Sequence, residues 1–505
     1  SDLPDIEDYA GHRGLYFEPS EWPGPVVTTV EDLAAEIAKL AAGTQDHSIA
    51  KNYASMRQRF SAHEDGAATS RVIDVVFRKK PGGQIVYGTT KTARRTVLIN
   101  AGRFAPNGIS SSLLNLLDQI DHSLFDVSII FTSRRTALIL NNQRQVHPSV
   151  RQFARVGGMN GSKFAHLLRR FTEARADLRS HASNPTLRQL WDDEWTRLFG
   201  STTFDFCIDF SGYGGLWAVL MLHAPGATRS IWMHNDMVAD SNREVNGKRP
   251  QRRTLRGIFT LYQEYDHLVS VSPALARVNA QALSKYAPAE KFESSDNLVS
   301  VRRVRENAAV PLDIATTDEV TGERPDWAED LLNRRAPKTF MTVGRISPEK
   351  NHERLIRAFA LVHRDDPNTR LVIVGTGPLL GYLQDLVVEL DLAGAVWLTG
   401  HQVNPHAVMA AADCFVMSSN YEGQPMVIFE AMLVGLPVLT VDFGSVSDAL
   451  PEGTGLIVEA TVDALAAGMR RVLAGDIPAP GFDGDAHNAQ AVEQFYRAIG
   501  ADSAN

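Results

Sequence analysis

Ten short apolar runs constrain what this chain can fold into. TVLINA (96–101), FDVSIIFT (125–132), FDFCIDF (204–210), RSIWMH (229–234) and HLVSVS (267–272) form one series. TFMTVG (339–344), RLVIVG (370–375), AVWLTG (395–400), CFVMSS (414–419) and PVLTVD (437–442) form a second. Each is nearly all apolar over about six residues, as parallel strands buried on both faces are. Between them lie segments of helical length and period, such as HERLIRAFALVHRD (352–365). Two such alternating series predict an α/β protein with two Rossmann-like, doubly wound sheets facing each other across a cleft.

A length of 505 residues fits roughly three domains of about 150 residues. Residues 1–90 stand apart as an appended α/β segment, in which GHRGLYFEPSEWPGPVVTT, dense in Gly, Pro and aromatics, is expected to form loop and short strand. Thr28 with Glu31 predicts a capping box for a helix through LAAEIAKLAAG, and NYASMRQRF predicts a second helix. Pro81-Gly82-Gly83 marks the boundary. The first sheet domain is expected over 91–325 and the second over 326–480, with a hinge in ERPDWAEDLLNRRAPK. Residues 481–505 should form a terminal helix that packs back toward the first domain.

The net charge of −8 gives no general attraction to nucleic acid or anionic lipid, so no nucleic-acid partner is expected. Cys207 and Cys414, both inside strand-like runs, make neither a disulfide framework nor a zinc site and fit a reducing compartment. No apolar run reaches the roughly 18 residues a membrane span needs. The start, SDLPDIEDYAG, lacks a basic-then-apolar signal pattern. The expectation is a cytoplasmic chain whose membrane contact is at most peripheral, at the inner face.

Open α/β sheets bind ligands at the carboxyl ends of their strands. TFMTVGRISPEKN places Arg345 and Lys350 there, with Ser347 able to cap a helix and Pro348 suited to its first turn. A lysine in a first helical turn opposes the helix dipole, and a bound anion removes that penalty. Two cations plus helix N–H groups suit a diphosphate; the alternative is two solvated surface cations. The Gly375-x-Gly377 turn that follows RLVIV is explained equally well by tight packing.

YEGQPMVIFEAM (421–432) sets Glu422 in a turn and Glu430 among apolar residues of the following helix. Gly423 permits close backbone approach to a ligand, and the helix start near Gln424 and Met426 offers free N–H groups. Glu430 is placed to accept both hydroxyls of a ribose and Glu422 the hydroxyls of a second sugar; the alternatives are helix-dipole stabilisation for Glu422 and a surface carboxylate for Glu430. In the first series, Gly108 with Ser110 to Ser112 opens a helix where a phosphate could approach, and His234 ends a strand at the cleft. Asp483-x-Asp485 resembles a metal-binding pair, but Asp485 reads more simply as an N-cap. KFAHLLRRFTEARADLRSHA (163–182) is basic and amphipathic, and reads as a solvated face with contact to acidic lipid or an anionic polymer as the alternative.

Together these motifs resemble the retaining GT-B glycosyltransferases of the glycogen-synthase-like family, over roughly residues 92–500. VGRISPEKNHERLIRAF resembles the family's phosphate-binding element, and Glu422 with Glu430 its pair of acids eight residues apart; VGTGP and LTGHQ fall between in the expected order. NGISSSLLNLL resembles the N-terminal glycine loop, with one glycine where many members have two, and His234 in IWMHND matches the cleft histidine. The resemblance implies a nucleotide-diphosphate sugar donor, with uridine as the base, no required metal or other cofactor, and retention at the anomeric carbon. It implies Arg345, Lys350, Glu422 and His234 as catalytic residues, and Gly108, Gly423, Gln424, Met426 and Glu430 as donor-binding ones.

Residues 1 to about 78 are similar instead to the C-terminal end of CDP-glycerol glycerophosphotransferases, through Arg13-Gly14, Tyr16-Phe17, Pro23-Gly24-Pro25 and Asp65-Gly66. That similarity implies an upstream glycerophosphotransferase domain in a longer protein. It also implies an acceptor of the polyol-phosphate type, such as teichoic acid or capsule, or its lipid-linked precursor. The alternatives are a transferase with a lipid or small-molecule acceptor, a nucleotide-sugar epimerase, and a non-catalytic polymer-binding scaffold.

Overall fold

The computed structural model describes residues 19–44, 47–62, 64–78, 80, 93–105, 107–132, 136–244, 247–316, 324–332 and 338–501. The chain divides into two units at Thr92/Ala93.

The second unit is built on two all-parallel sheets. The first contains β1 (Arg95–Asn100), β2 (Phe125–Thr132), β3 (Arg151–Arg155), β4 (Phe206–Asp209), β5 (Thr228–Met233), β6 (His267–Ser270) and β7 (Phe292–Ser294), in the order β3-β2-β1-β4-β5-β6-β7. The second contains β8 (Lys338–Val343), β9 (Thr369–Val374), β10 (Val396–Gly400), β11 (Cys414–Met417), β12 (Val438–Val441) and β13 (Leu456–Val458), in the order β10-β9-β8-β11-β12-β13. This is the expected pair of Rossmann-like domains. Strand order reverses between β1 and β4 and between β8 and β11, the switch points at whose carboxyl ends open α/β sheets bind ligands.

The continuous apolar runs follow from burial on both faces. Val97 and Ile99 pack with the helix Gly108–Gln119, whereas the intervening Leu98 joins Trp191, Trp195 and Trp217 on the other side. In the second sheet Met341 packs with Ile428 and Phe429, while Phe340 packs with Leu355 and Phe359. Three strands had no sequence signal: β3, β7 and β13 lie at sheet edges, and RQFAR of β3 is largely exposed. β7 and β13 are three residues each and β3 is largely exposed, so none of them leaves an apolar run.

The terminal helix Gly484–Ala498 packs on the first sheet, with the Phe495 ring 5.8 Å from Trp232. Its N-cap is Asp483, which accepts from the Asp485 and Ala486 amides at 3.1 Å. The expected cap, Asp485, instead sits in the first turn, where its charge favours the helix dipole. The segment expected to hold the hinge contains a helix, Asp326–Leu332, whose Trp327, Ala328 and Leu331 are buried in the second domain's core.

Among its described residues the first unit contains three α-helices, Val30–Ala41, His47–Phe60 and Ala68–Val76. The first is capped by Thr29, not Thr28: Thr29 Oγ1 accepts from the Asp32 amide at 3.1 Å and donates to the Asp32 carboxylate at 2.7 Å. Asp32 is three residues past Thr29, so the cap and its acidic partner fall one residue later than the Thr28/Glu31 reading, and Asp32 accepts from the Thr29 hydroxyl. None of this unit's described residues is buried. Arg13-Gly14, Tyr16-Phe17 and Pro81-Gly82-Gly83 lie outside the described residues.

Candidate active site

The reversal between β8 and β11 makes the loops after these two strands neighbours. The first, after β8, carries Arg345 and Lys350; the second, after β11, carries Glu422. Polar contacts sew the loops together. Ser418 Oγ donates to the carbonyls of Lys350 and Asn351, at 3.0 Å each. The Asn420 amide donates to the Glu349 carbonyl at 2.8 Å, and Arg354 donates to Ser418 O and Asn420 Oδ1. Gly375 and Gly377 support the same loop from behind: a Cβ at either would fall 1.9 or 2.0 Å from the carbonyl of Gly344 or Ile346. Packing therefore accounts for this Gly-x-Gly.

Lys350 Nζ donates to Glu422 Oε1 at 2.6 Å, and Ser419 Oγ donates to the same oxygen at 2.5 Å. Lys350 is not in the first turn of the long helix, as the sequence suggested. It ends a short 3-10 turn, Pro348–Lys350, and Asn351 caps the helix His352–Asp365 through its side chain. Ser347 makes no cap hydrogen bond; it donates to the Arg345 carbonyl at 3.3 Å. Asn351 adopts φ 46°, a left-handed conformation Asn tolerates, and this bend turns the loop out of the helix. The Arg345 side chain is exposed on the same loop.

Gly423 lies against the first domain. A Cβ there would stand 1.9 Å from the His234 carbonyl, so glycine is what lets the two segments meet. His234 immediately follows β5, and its Nε2–H donates to the Phe210 carbonyl at 2.6 Å. Burial pushes its pKa down to about 4, so the ring is neutral and Nδ1 is its acceptor atom.

The remaining predicted residues have other surroundings. Both side-chain atoms of Gln424 are engaged by the segment after β7: Oε1 accepts from the Asn297 amide at 2.6 Å and Nε2 donates to Asp296 at 3.1 Å. The Gln424 side chain thus ties the two segments together, and its place just before the helix Met426–Val434 is where the sequence put it. Met426 is the first residue of the helix Met426–Val434, where backbone N–H groups have no intrahelical partner. Glu430, one turn on, faces His406 at 3.6 Å; Asn307 donates to His406 Nδ1, which leaves Nε2–H on the Glu430 side. Gly108 is the first residue of its helix, capped by Asn107, and nothing crowds the position of its missing Cβ.

Several charged residues at the crevice escaped the sequence reading. Arg243, after the short helix Met237–Asn242, lies 3.2 Å from Glu349 of the Lys350 loop and 3.8 Å from Asp240. Tyr213 donates to Asp240 at 2.6 Å, and burial raises the Asp240 pKa. Asp209, at the carboxyl end of β4, is fully buried; Oδ1 accepts from Asn100 at 2.7 Å, Ser211 at 3.0 Å and the Gly212 amide at 3.1 Å. Its Oδ2 has no partner, and burial pushes its pKa up to about 6. A carboxylate ending the apolar run FDFCIDF was the available signal for Asp209.

Residues 323–481 match the family of glycosyl transferases group 1. Residues 3–78 match the CDP-glycerol:poly(glycerophosphate) glycerophosphotransferase family. An uncharacterised glycosyltransferase of Methanocaldococcus jannaschii is 40% identical over 103 residues, which is 20% of this chain and 25% of the relative. The chain spans 25 to 33% of the length of the first curated relatives it matches. Among solved structures, Anabaena HepE in complex with UDP and glucose superposes with a TM-score of 0.53 at 16% identity, covering 81% of this chain and 95% of HepE. A Staphylococcus aureus TarM mutant in complex with fondaparinux, alpha-GlcNAc-glycerol and UDP superposes at 0.52 with 13% identity, covering 80% of this chain and 96% of TarM. Residues 93–501 therefore have the GT-B fold, and their C-terminal domain carries the region shared by the glycosyl transferases of group 1.

Proposed function

We propose that the chain is a retaining glycosyltransferase that moves a hexose or N-acetylhexosamine from a UDP-sugar to a hydroxyl of a polyol-phosphate polymer such as teichoic acid or capsule. The observation that carries this reading is the 2.6 Å contact between Lys350 and Glu422 at the strand reversal of the second sheet. A cation and a hydroxyl-accepting anion side by side suit the two ends of an activated sugar, its diphosphate and its sugar ring. UDP in both structural neighbours supports uridine as the base. A sugar carried on glycerol in one of them, and the glycerophosphotransferase match at residues 3–78, support a polyol acceptor.

In this account Arg345 and Lys350 stabilise the negative charge that develops on the leaving diphosphate. The bond from the anomeric carbon to the diphosphate oxygen breaks, and the acceptor oxygen bonds to that carbon on the same face. The acceptor's proton passes to the departing phosphate, so no protein nucleophile and no metal is required. Lys350 and Ser419 occupy Glu422 Oε1, which leaves Oε2 to accept a sugar hydroxyl. Neutral His234 offers Nδ1 as a further acceptor, and Glu430 accepts the ribose hydroxyls. Release of UDP from UDP-sugars, with and without glycerol-phosphate oligomers, tests the reading. UDP release that vanishes in Lys350→Ala supports it; no release from any donor overturns it.

A further inference from the structure

The helix Lys163–Ala174 carries an apolar stripe on its outer side. Phe164, Leu167 and Phe171, spaced three and four residues apart on one face, are 65%, 66% and 50% exposed. Arg169 is ion-paired with Glu173 and Thr172 donates to the Arg169 carbonyl, whereas Lys163 and Arg170 are exposed. Ala165 is buried and Leu168 packs on the first domain's core, so the helix is anchored from its inner side. Three large apolar side chains gathered on one exposed face mark an interaction site.

Charge limits what can cover this face. The protein carries −8 overall, yet between 163 and 179 the exposed ionic side chains are Lys163, Arg170, Arg175 and Arg179 against Asp177 alone. The Arg175 guanidinium lies over the Phe171 ring at 3.9 Å, so cation and apolar surface are interleaved. A second copy of the same face would bring like charges together. A soluble polyanion would satisfy the cations but leave the phenylalanines in water. We propose that this helix docks the protein on a bilayer containing anionic lipid, with Phe164, Leu167 and Phe171 in the acyl boundary and the basic residues at the headgroups. A pocket lined by Arg169, Leu178, Leu216 and Arg253 opens on the helix's inner flank, beside the start of the helix that follows β4. Docking would thus bring the crevice end of the first domain to the membrane. The inference stands without the transferase reading, because its test measures binding and not turnover.

Flotation of the full chain with phosphatidylcholine vesicles, with and without phosphatidylglycerol, tests it. Binding is expected with phosphatidylglycerol, weakening with salt. Replacing Lys163, Arg170 and Arg175 by Gln should reduce it on the order of 100-fold, and Phe164→Asp with Phe171→Asp should abolish it. These residues are exposed, so circular dichroism and the melting temperature should stay unchanged in both variants. Absence of flotation with either vesicle overturns the proposal, as does equal binding by the Asp variant. Binding only to soluble polyglycerophosphate, or a dimer in sedimentation that the Asp variant dissolves, assigns the face to another occupant and also overturns it.

Discussion

Gly423 and His234 meet across the crevice: the bare Cα of one lies against the carbonyl of the other, leaving no room for a methyl group. The contact joins the Glu422 loop of the second domain to the end of β5 in the first. Gly423→Ala would put its Cβ 1.9 Å from the His234 oxygen, and backbone cannot yield as a flexible side chain would. The variant should lose about 1–3 kcal/mol of stability, and its scattering radius should grow as the domains part. An unchanged radius and melting temperature would show that the contact does not hold the domains together.

Lys350→Ala should lower sugar transfer on the order of 100- to 1,000-fold, the range for removing one preorganised charge partner. The pair is partly solvated, so its own contribution to stability should stay within about 1 kcal/mol. Steady-state UDP release and a melting curve on the same sample separate the two effects. A large melting shift with intact kinetics would make Lys350 a structural residue.

Gln424 holds the segment after β7 through two hydrogen bonds, one to the Asn297 amide and one to Asp296. Gln424→Ala leaves a buried amide unpaired, at a cost of about 1–3 kcal/mol. Denaturant unfolding reads this directly. The loss should appear without any nucleotide present, which distinguishes a tie between segments from a ligand contact.

Asp209 gives a pH signature. Its carboxyl titrates at 3.8 in a solvated chain and near 6 in the fold, so between these values the folded state binds more protons. Its contribution to stability is therefore highest at low pH and declines as pH rises through that window, because a buried, half-satisfied charge must be kept above it. Asp209→Asn removes the charge and retains the oxygen that accepts from Asn100 and Gly212. The variant should be more stable than the parent at pH 8, by on the order of 2 kcal/mol, with the gain fading toward pH 4. Paired melting curves across this range measure it, and a pH-independent difference would contradict it.

The two sheets were legible because parallel strands buried on both faces leave apolar runs that no surface segment imitates. Arg345, Lys350 and Glu422 were legible for a related reason, since polar residues just past such runs stand at the ends of the strands. The strand reversal that makes their loops neighbours required the structure. Arg243 and Glu349 lie 106 positions apart, and nothing local in either segment announces the pair. Lys350 was placed one turn too far into its helix, because Ser347-Pro348 imitates a helix start while Asn351, in the left-handed region, makes the actual one. The helix Lys163–Ala174 showed its amphipathic period in the sequence, but a period does not say which face points outward.

The most direct test of the central claim is a melting-temperature titration with UDP and a panel of UDP-sugars on the parent chain, Lys350→Ala and Glu430→Ala. At about 100 times the dissociation constant, a ligand of the folded state adds about 2.7 kcal/mol. The account predicts a shift with UDP in the parent, a larger one with the correct UDP-sugar, and a reduced shift in both variants. No shift with any of these ligands, or the same shift in all three proteins, would contradict it.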